Sequence, residues 1–171
     1  MGVSVSLDRA EVTTLAVDGI VNPTNSLCIM NTGLSGAIRR AAGAAIEQQA
    51  QLKAPLAVGA AIVTKGGNLP AKHIIHAPII AEPGQRVITE NVRRAARVAL
   101  LAADAYKLKT IAIPAIGVDL GDVAPEEATR AIVEEIRAHR RPFPEHVILA
   151  TTDLYVSQAF EDALRNAQQT S

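Results

Sequence analysis

No tryptophan occurs in this 171-residue sequence, and the aromatic residues are two tyrosines and two phenylalanines. Tyr106, Phe143, Tyr155 and Phe160 are too few and too scattered to build a stacking platform for single-stranded nucleic acid. Neither sign of charge is in excess, with 17 basic and 17 acidic residues. That balance argues against general nucleic-acid binding or attraction to an anionic membrane. Cysteine occurs once, at Cys28, so no internal disulfide forms and a reducing, cytoplasmic compartment is expected. No apolar run approaches membrane-spanning length, so no membrane partner is expected. The start, MGVSVSLDR, lacks a basic segment followed by a hydrophobic run, so no secretory signal is expected. Met-Gly with Ser6 matches a myristoylation motif, but residues 3–7 alternate as a strand would, and that reading is set aside. The dinucleotide-binding GxGxxG and the Walker-A lysine loop are both missing. His73, His139 and His146 have no metal-site spacing, and His76 reads as a packed core histidine, so no metal is expected.

What is present is a chain for one globular domain, 1–171. Apolar residues make up 49% and charged residues 20%, a balance that excludes disorder. Val3, Val5 and Leu7 alternate with polar residues and predict a half-buried strand. Further strands are predicted at 18–21, 60–64, 73–77 (stopped by Pro78), 110–113 (ending at Pro114) and 146–150. Helices are predicted from about Leu34 to about Leu52 with a kink near Gly43, after a Thr89 cap, at 125–137 and at 157–167. Strands alternate with helices, the layout of an α/β domain with helices on both faces of a sheet. In such folds ligands bind where loops leave the carboxyl ends of strands. Two loops qualify, one after Val21 and one after Ile113.

The first of these dominates the chain. Residues 18–43 read DGIVNPTNSLCIMNTGLSGAIRRAAG: a short apolar run, a polar turn-prone cluster at Asn22–Asn25, a loop closing on Thr32-Gly33, then a helix. Leu34, Ile38, Ala41, Ala42 and Ala45 are spaced to share one helix face. The order strand, loop, helix brings backbone N–H groups to a helix N-terminus, where an anion is bound readily.

Asn22, Asn25, Gly33, Gly36, Ala37 and Ile38 together resemble the signature of the macrodomain family, whose members bind ADP-ribose. The resemblance extends over about residues 3–165 and includes the second loop, IAIPAIGVDLGDVAP, and the segment 64–78. It implies a three-layer α/β/α fold with a mixed, mostly parallel sheet of about six strands. It further implies a cleft that binds ADP-ribose, a related nucleotide or an ADP-ribosylated protein, with no cofactor. Asn25 would contact the distal ribose, with Asn22 supporting the loop. Asn31, Thr32, Gly33, Leu34 and Ser35 would form the helix entry around the ligand. Ile116, Gly117, Val118, Asp119, Leu120, Gly121 and Asp122 would form the second ligand loop, presenting N–H groups to the diphosphate. Glu11, with Val12 beside it, would accept the adenine amino proton.

Two departures bear on chemistry. Asp119 stands where a glycine is usual, and a carboxylate beside a diphosphate is repulsive unless it turns away or meets a cation. Ser35 stands where one hydrolytic class carries an aspartate, and a hydroxyl is a poor base near neutral pH. Two further readings stay open. One is an ADP-ribosyl hydrolase, acting on modified protein or on O-acetyl-ADP-ribose, that uses Asn25, Asp119 or Asp122. The other is an interaction domain that has lost the ligand.

Overall fold

The computed structural model describes residues 2–169. The expected span 1–171 also takes in Met1, Thr170 and Ser171, which lie outside the described residues.

Six strands form one mixed sheet in the order β1-β6-β5-β2-β4-β3. They are β1 (Ser4–Asp8), β2 (Gly19–Asn25), β3 (Ile62–Lys65), β4 (His73–Ile80), β5 (Thr110–Pro114) and β6 (His146–Ala150). All neighbours pair in parallel except the edge strand β3, which runs antiparallel to β4. The side chains of the strands alternate between two cores. Val21, Ile75, Ile111, Ile113, Val147 and Leu149 pack on one face with α3 (Thr89–Ala105), α4 (Pro125–Ala138) and α5 (Leu154–Gln169). Ile20, Ile74, Ala112 and Ala150 pack on the other with α1 (Gly33–Ala42) and α2 (Ala44–Gln51). The result is the three-layer α/β/α fold, with a mixed six-stranded sheet.

Several local expectations change. The Asn22–Asn25 cluster is not a turn: it continues β2, and all seven residues of that strand are buried. Pro23 is tolerated because pairing between β2 and β5 ends at Ile20, so one side of β2 is already unpaired there. Pro78 likewise does not stop β4, which runs to Ile80 after its pairing with β3 has ended at His76. The long first helix is broken rather than kinked. Gly43 adopts φ 103°, which a residue with a side chain rarely takes, and separates α1 from α2. The break resets the helical phase, so Ala41 and Ala45 are exposed while Ile46 and Ala50 carry the burial. Thr89 is not the cap of α3: Ile88 takes that position, and the Thr89 hydroxyl donates to Glu127 Oε2 at 3.0 Å.

Candidate functional site

The parallel strands β2, β5 and β6 end on one side of the sheet, where a cleft of about 550 Å³ opens. Its walls come from four segments: Glu11 to Thr13, the start of α1, the loop after β5, and Thr151 to Asp153 after β6. Of the sequence-predicted site residues, Glu11, Val12, Gly33, Leu34, Val118 and Asp119 line it. Glu11 is exposed and precedes a single 3-10 turn, Val12–Thr14; the backbone of that turn is held by the Thr14 hydroxyl, which donates to the Glu11 carbonyl at 2.8 Å.

Asn25 does not reach the cleft as a lone amide. Its Oδ1 accepts the N–H groups of Leu27 at 3.1 Å and Ile29 at 3.2 Å, and its Nδ2 donates to the Ile29 carbonyl at 2.9 Å. One side chain thereby braces the first part of the connection between β2 and α1, as far as Ile29. The next residue of that loop is pinned as well, since the Met30 N–H donates to Glu47 Oε2 at 2.6 Å. Asn22 is fully buried and turned to His76 instead of a ligand. Burial holds the His76 imidazole down to about 4, so it is neutral near pH 7. Cys28 lies in the same loop but is buried, and burial pushes its thiol up to about 11, which leaves it unreactive.

Asn31 and Thr32 are exposed, whereas Ser35 is buried and lies outside the lining of the cleft. Gly33 opens α1 with φ 55°. The Leu34 N–H at that helix end is already occupied: it donates to Asp119 Oδ2 at 2.8 Å, across the mouth of the cleft. The Asp119 carboxylate therefore neither points away nor meets a cation; it meets a helix N-terminus.

The loop after β5 is more closed than expected. The Val118 N–H donates to the Ala115 carbonyl and the Gly121 N–H to the Val118 carbonyl, so these two amides are spent inside the loop. Ile116 and Gly117 are buried; a side chain at Gly117 would meet Val87, Val92 and Val123 of the core. Val123 itself is a core residue. Leu120 is exposed on the rim. Asp122 is directed to the segment before α3, where its Oδ2 accepts the Val87 N–H at 2.9 Å. Asn25, Asp119 and Asp122 are thus each engaged with a different stretch of backbone and do not converge on one point of the cleft.

Sequence reading missed the fourth wall. Thr151, Thr152 and Asp153 follow β6, and Asp153 caps α5 by accepting the Val156 N–H at 3.0 Å. The signal was present: a polar Thr-Thr-Asp between an apolar strand and a helix is an N-cap signature at a strand's carboxyl end. Among the described residues no group of His, Cys, Asp and Glu is placed to hold a metal ion, and no helix is long and apolar enough to cross a membrane.

The chain and its fold have known counterparts. The Macro domain family profile matches residues 21–132. An uncharacterized protein of Aquifex aeolicus (strain VF5) is 41% identical over 160 residues, which cover 94% of this chain and 97% of that one. A Macro domain-containing protein of Mesorhizobium japonicum is 33% identical over 165 residues, covering 92% and 94%. Among solved structures, the Trypanosoma brucei macrodomain in complex with ADP-ribose has a TM-score of 0.82 and 25% identity, over 94% of this chain and 68% of that chain. The Oceanobacillus iheyensis macrodomain with ADP shares the fold at a TM-score of 0.84 and 22% identity, over 98% and 93%.

Proposed function

The chain belongs to the Macro domain family, and on that premise we propose that it binds ADP-ribose, free or attached to a protein, in the cleft between α1 and the loop after β5. The observation that carries the reading is the convergence of a helix N-terminus, the β5 loop and Glu11 on one cleft at the carboxyl ends of parallel strands. The Trypanosoma brucei relative, which holds ADP-ribose, supports the choice of ligand. In this reading Glu11 accepts the adenine amino proton, the diphosphate is met by amides at the start of α1 and in the β5 loop other than the engaged ones of Leu34, Val118 and Gly121, and Asn25 orders the loop beside the distal ribose. A single buried thiol suits a reducing, cytoplasmic setting.

Recognition is favoured over hydrolysis. A hydrolase needs a base free to activate water within reach of the scissile bond. Asp119 is bonded to Leu34, Asp122 to Val87, and Ser35 offers no carboxylate. Calorimetric titration with ADP-ribose tests the proposal. Saturable one-site binding is expected, and it should weaken when Glu11→Ala removes the base-reading group. The absence of binding by the folded wild-type protein would leave an interaction domain as the better reading.

A further inference from the structure

The charged groups lining the cleft are three carboxylates, Glu11, Asp119 and Asp153; among the described residues that line it there is no lysine, arginine or histidine. A ligand anion is therefore held by backbone N–H groups and threonine hydroxyls, with no basic side chain, against a background of negative charge. Two of the carboxylates already sit on helix N-termini that border the space. Asp119 Oδ2 takes the Leu34 N–H of α1 at 2.8 Å, and Asp153 Oδ1 takes the Val156 N–H of α5 at 3.0 Å. Asp153 is local to its helix. Asp119 is not: it reaches α1 from the loop after β5 and spans the cleft mouth. The seat is tight, since a Cβ built on Gly33 would lie 2.4 Å from the same Asp119 oxygen.

We propose that Asp119 is a specificity-determining residue of this cleft, a reading that rests on the nucleotide function proposed above. Its carboxylate admits a nucleotide whose diphosphate is esterified to a sugar at both ends and discriminates against one ending in a free phosphate. The two ligand classes differ in charge and in hydrogen-bonding sense at this seat. A doubly esterified diphosphate carries one negative charge per phosphate, and the sugar beyond it presents hydroxyls that donate to a carboxylate. A terminal phosphate gains a second charge with a pKa near 6, so near neutral pH it brings extra negative charge and only acceptor oxygens. Such a group beside Asp119 meets like charge, and no basic side chain lines the cleft to offset it. The Leu34 amide, which could otherwise take a terminal phosphate, is already held by Asp119.

The test compares affinities for ADP-ribose and ADP in the wild type, Asp119→Asn and Asp119→Ala, each first checked for an unchanged circular dichroism spectrum. Wild type is expected to prefer ADP-ribose by about 10-fold or more, as like-charge rejection allows. Both variants should narrow that preference by about 5-fold or more, through tighter binding of ADP. Glu82→Gln, which removes an exposed carboxylate outside the cleft, should leave the preference unchanged. ADP affinity that stays constant or falls in both Asp119 variants overturns the proposal. If wild type and variants bind neither nucleotide, the proposed function fails separately. The Leu34 amide resonance, titrated with inorganic phosphate, then decides about Asp119. A response in Asp119→Ala alone supports the charge barrier, and equal responses in wild type and variant refute it.

Discussion

Asn22 Nδ2 donates to His76 Nδ1 at 3.0 Å, and both side chains are fully buried. The pair fixes the proton inventory of the ring. With Nδ1 accepting, Nε2 carries the hydrogen and donates to Thr64 Oγ1 at 2.9 Å, and the Thr64 hydroxyl donates onward to the Lys65 carbonyl at 3.0 Å. A directed chain of hydrogen bonds therefore runs from β2 through β4 to the edge strand β3. Asn22, the middle residue of β2, is held by this chain, and β2 in turn carries Asn25 and the first loop.

The chain requires a neutral imidazole, and that gives a pH prediction. His76 is held down to about 4 from an ordinary value of 6.5 by burial. Below pH 6.5 the unfolded chain binds the proton and the folded one does not. The contribution of this group is therefore complete above pH 6.5 and is lost as pH falls toward 4, to a total of about 3 kcal/mol. Denaturant unfolding at several pH values between 7 and 4 should show this loss in the wild type. His76→Gln should be less stable at pH 7 and fall less steeply. Parallel slopes for the two proteins would show that His76 does not drive the acid sensitivity.

A second expectation concerns Asn25, whose three hydrogen bonds all close the turn from Asn25 to Ile29. Asn25→Ala should cost about 1–3 kcal/mol, the penalty for backbone groups left unpaired in a partly buried turn. Affinity for ADP-ribose should fall with it, because the loop that borders the ligand loosens. Hydrogen exchange at Leu27 and Ile29 distinguishes this from loss of a direct contact. Weaker binding with unaltered protection of both amides would make Asn25 a ligand group and not a brace.

Asp122 supplies a third. Its carboxylate holds the N–H of Val87, a core residue that also borders Gly117. Asp122→Ala should destabilise the fold by about 1.5–3 kcal/mol, as expected for a hydrogen bond to a charged group. Asp122→Asn, which keeps an acceptor oxygen, should cost less. Affinity for ADP-ribose should change little in Asp122→Asn. If that variant retains stability but loses binding, Asp122 belongs to the cleft after all.

These positions also show which parts of the molecule could be read from the chain. The strands and helices announced themselves because alternation and helical spacing record burial directly, as at Val3-Val5-Leu7 or Val92-Ala95-Ala96-Ala99-Ala103. Pro23 and Pro78 misled because a proline signals only a missing donor. Whether a strand tolerates it depends on where the neighbouring strand stops pairing, which local sequence does not encode. The placement of Gly33, Leu34 and Asp119 on one cleft followed from strand ends, whereas Glu11 was pointed to only by the family resemblance. The partners of Asn22, Asp119 and Asp122 did not, since each hydrogen bond joins residues more than thirty positions apart in sequence. Such pairings appear only when the sheet order is known.

The last prediction concerns Ser35, at the position where the resemblance to hydrolytic macrodomains calls for an aspartate. Ser35 shares a helix face with Ile38 and Ala42, both buried in the core between α1 and the sheet. It is only 8% exposed, and its Oγ has no hydrogen-bond partner among the described residues. An unsatisfied buried hydroxyl weakens a fold, and alanine is the better helix former. Ser35→Ala should therefore be neutral to stabilising, by roughly 0.5–1 kcal/mol. Ser35→Asp buries a carboxylate, and the Arg39 guanidinium one turn along α1 is already paired with Glu47 Oε1 at 2.9 Å. The N-terminus of α1 offsets about 0.3–1 kcal/mol of that burial, less than the several kcal/mol that desolvating an ion costs. The variant should melt lower than wild type and should release no more ADP-ribose from a modified acceptor. Thermal denaturation and a release assay on wild type, Ser35→Ala and Ser35→Asp check both statements together. Faster release by a Ser35→Asp protein of undiminished stability would place position 35 at the ligand. Rapid wild-type release abolished by Asp119→Ala but untouched by Ser35→Ala would make the loop after β5 catalytic and replace recognition with hydrolysis.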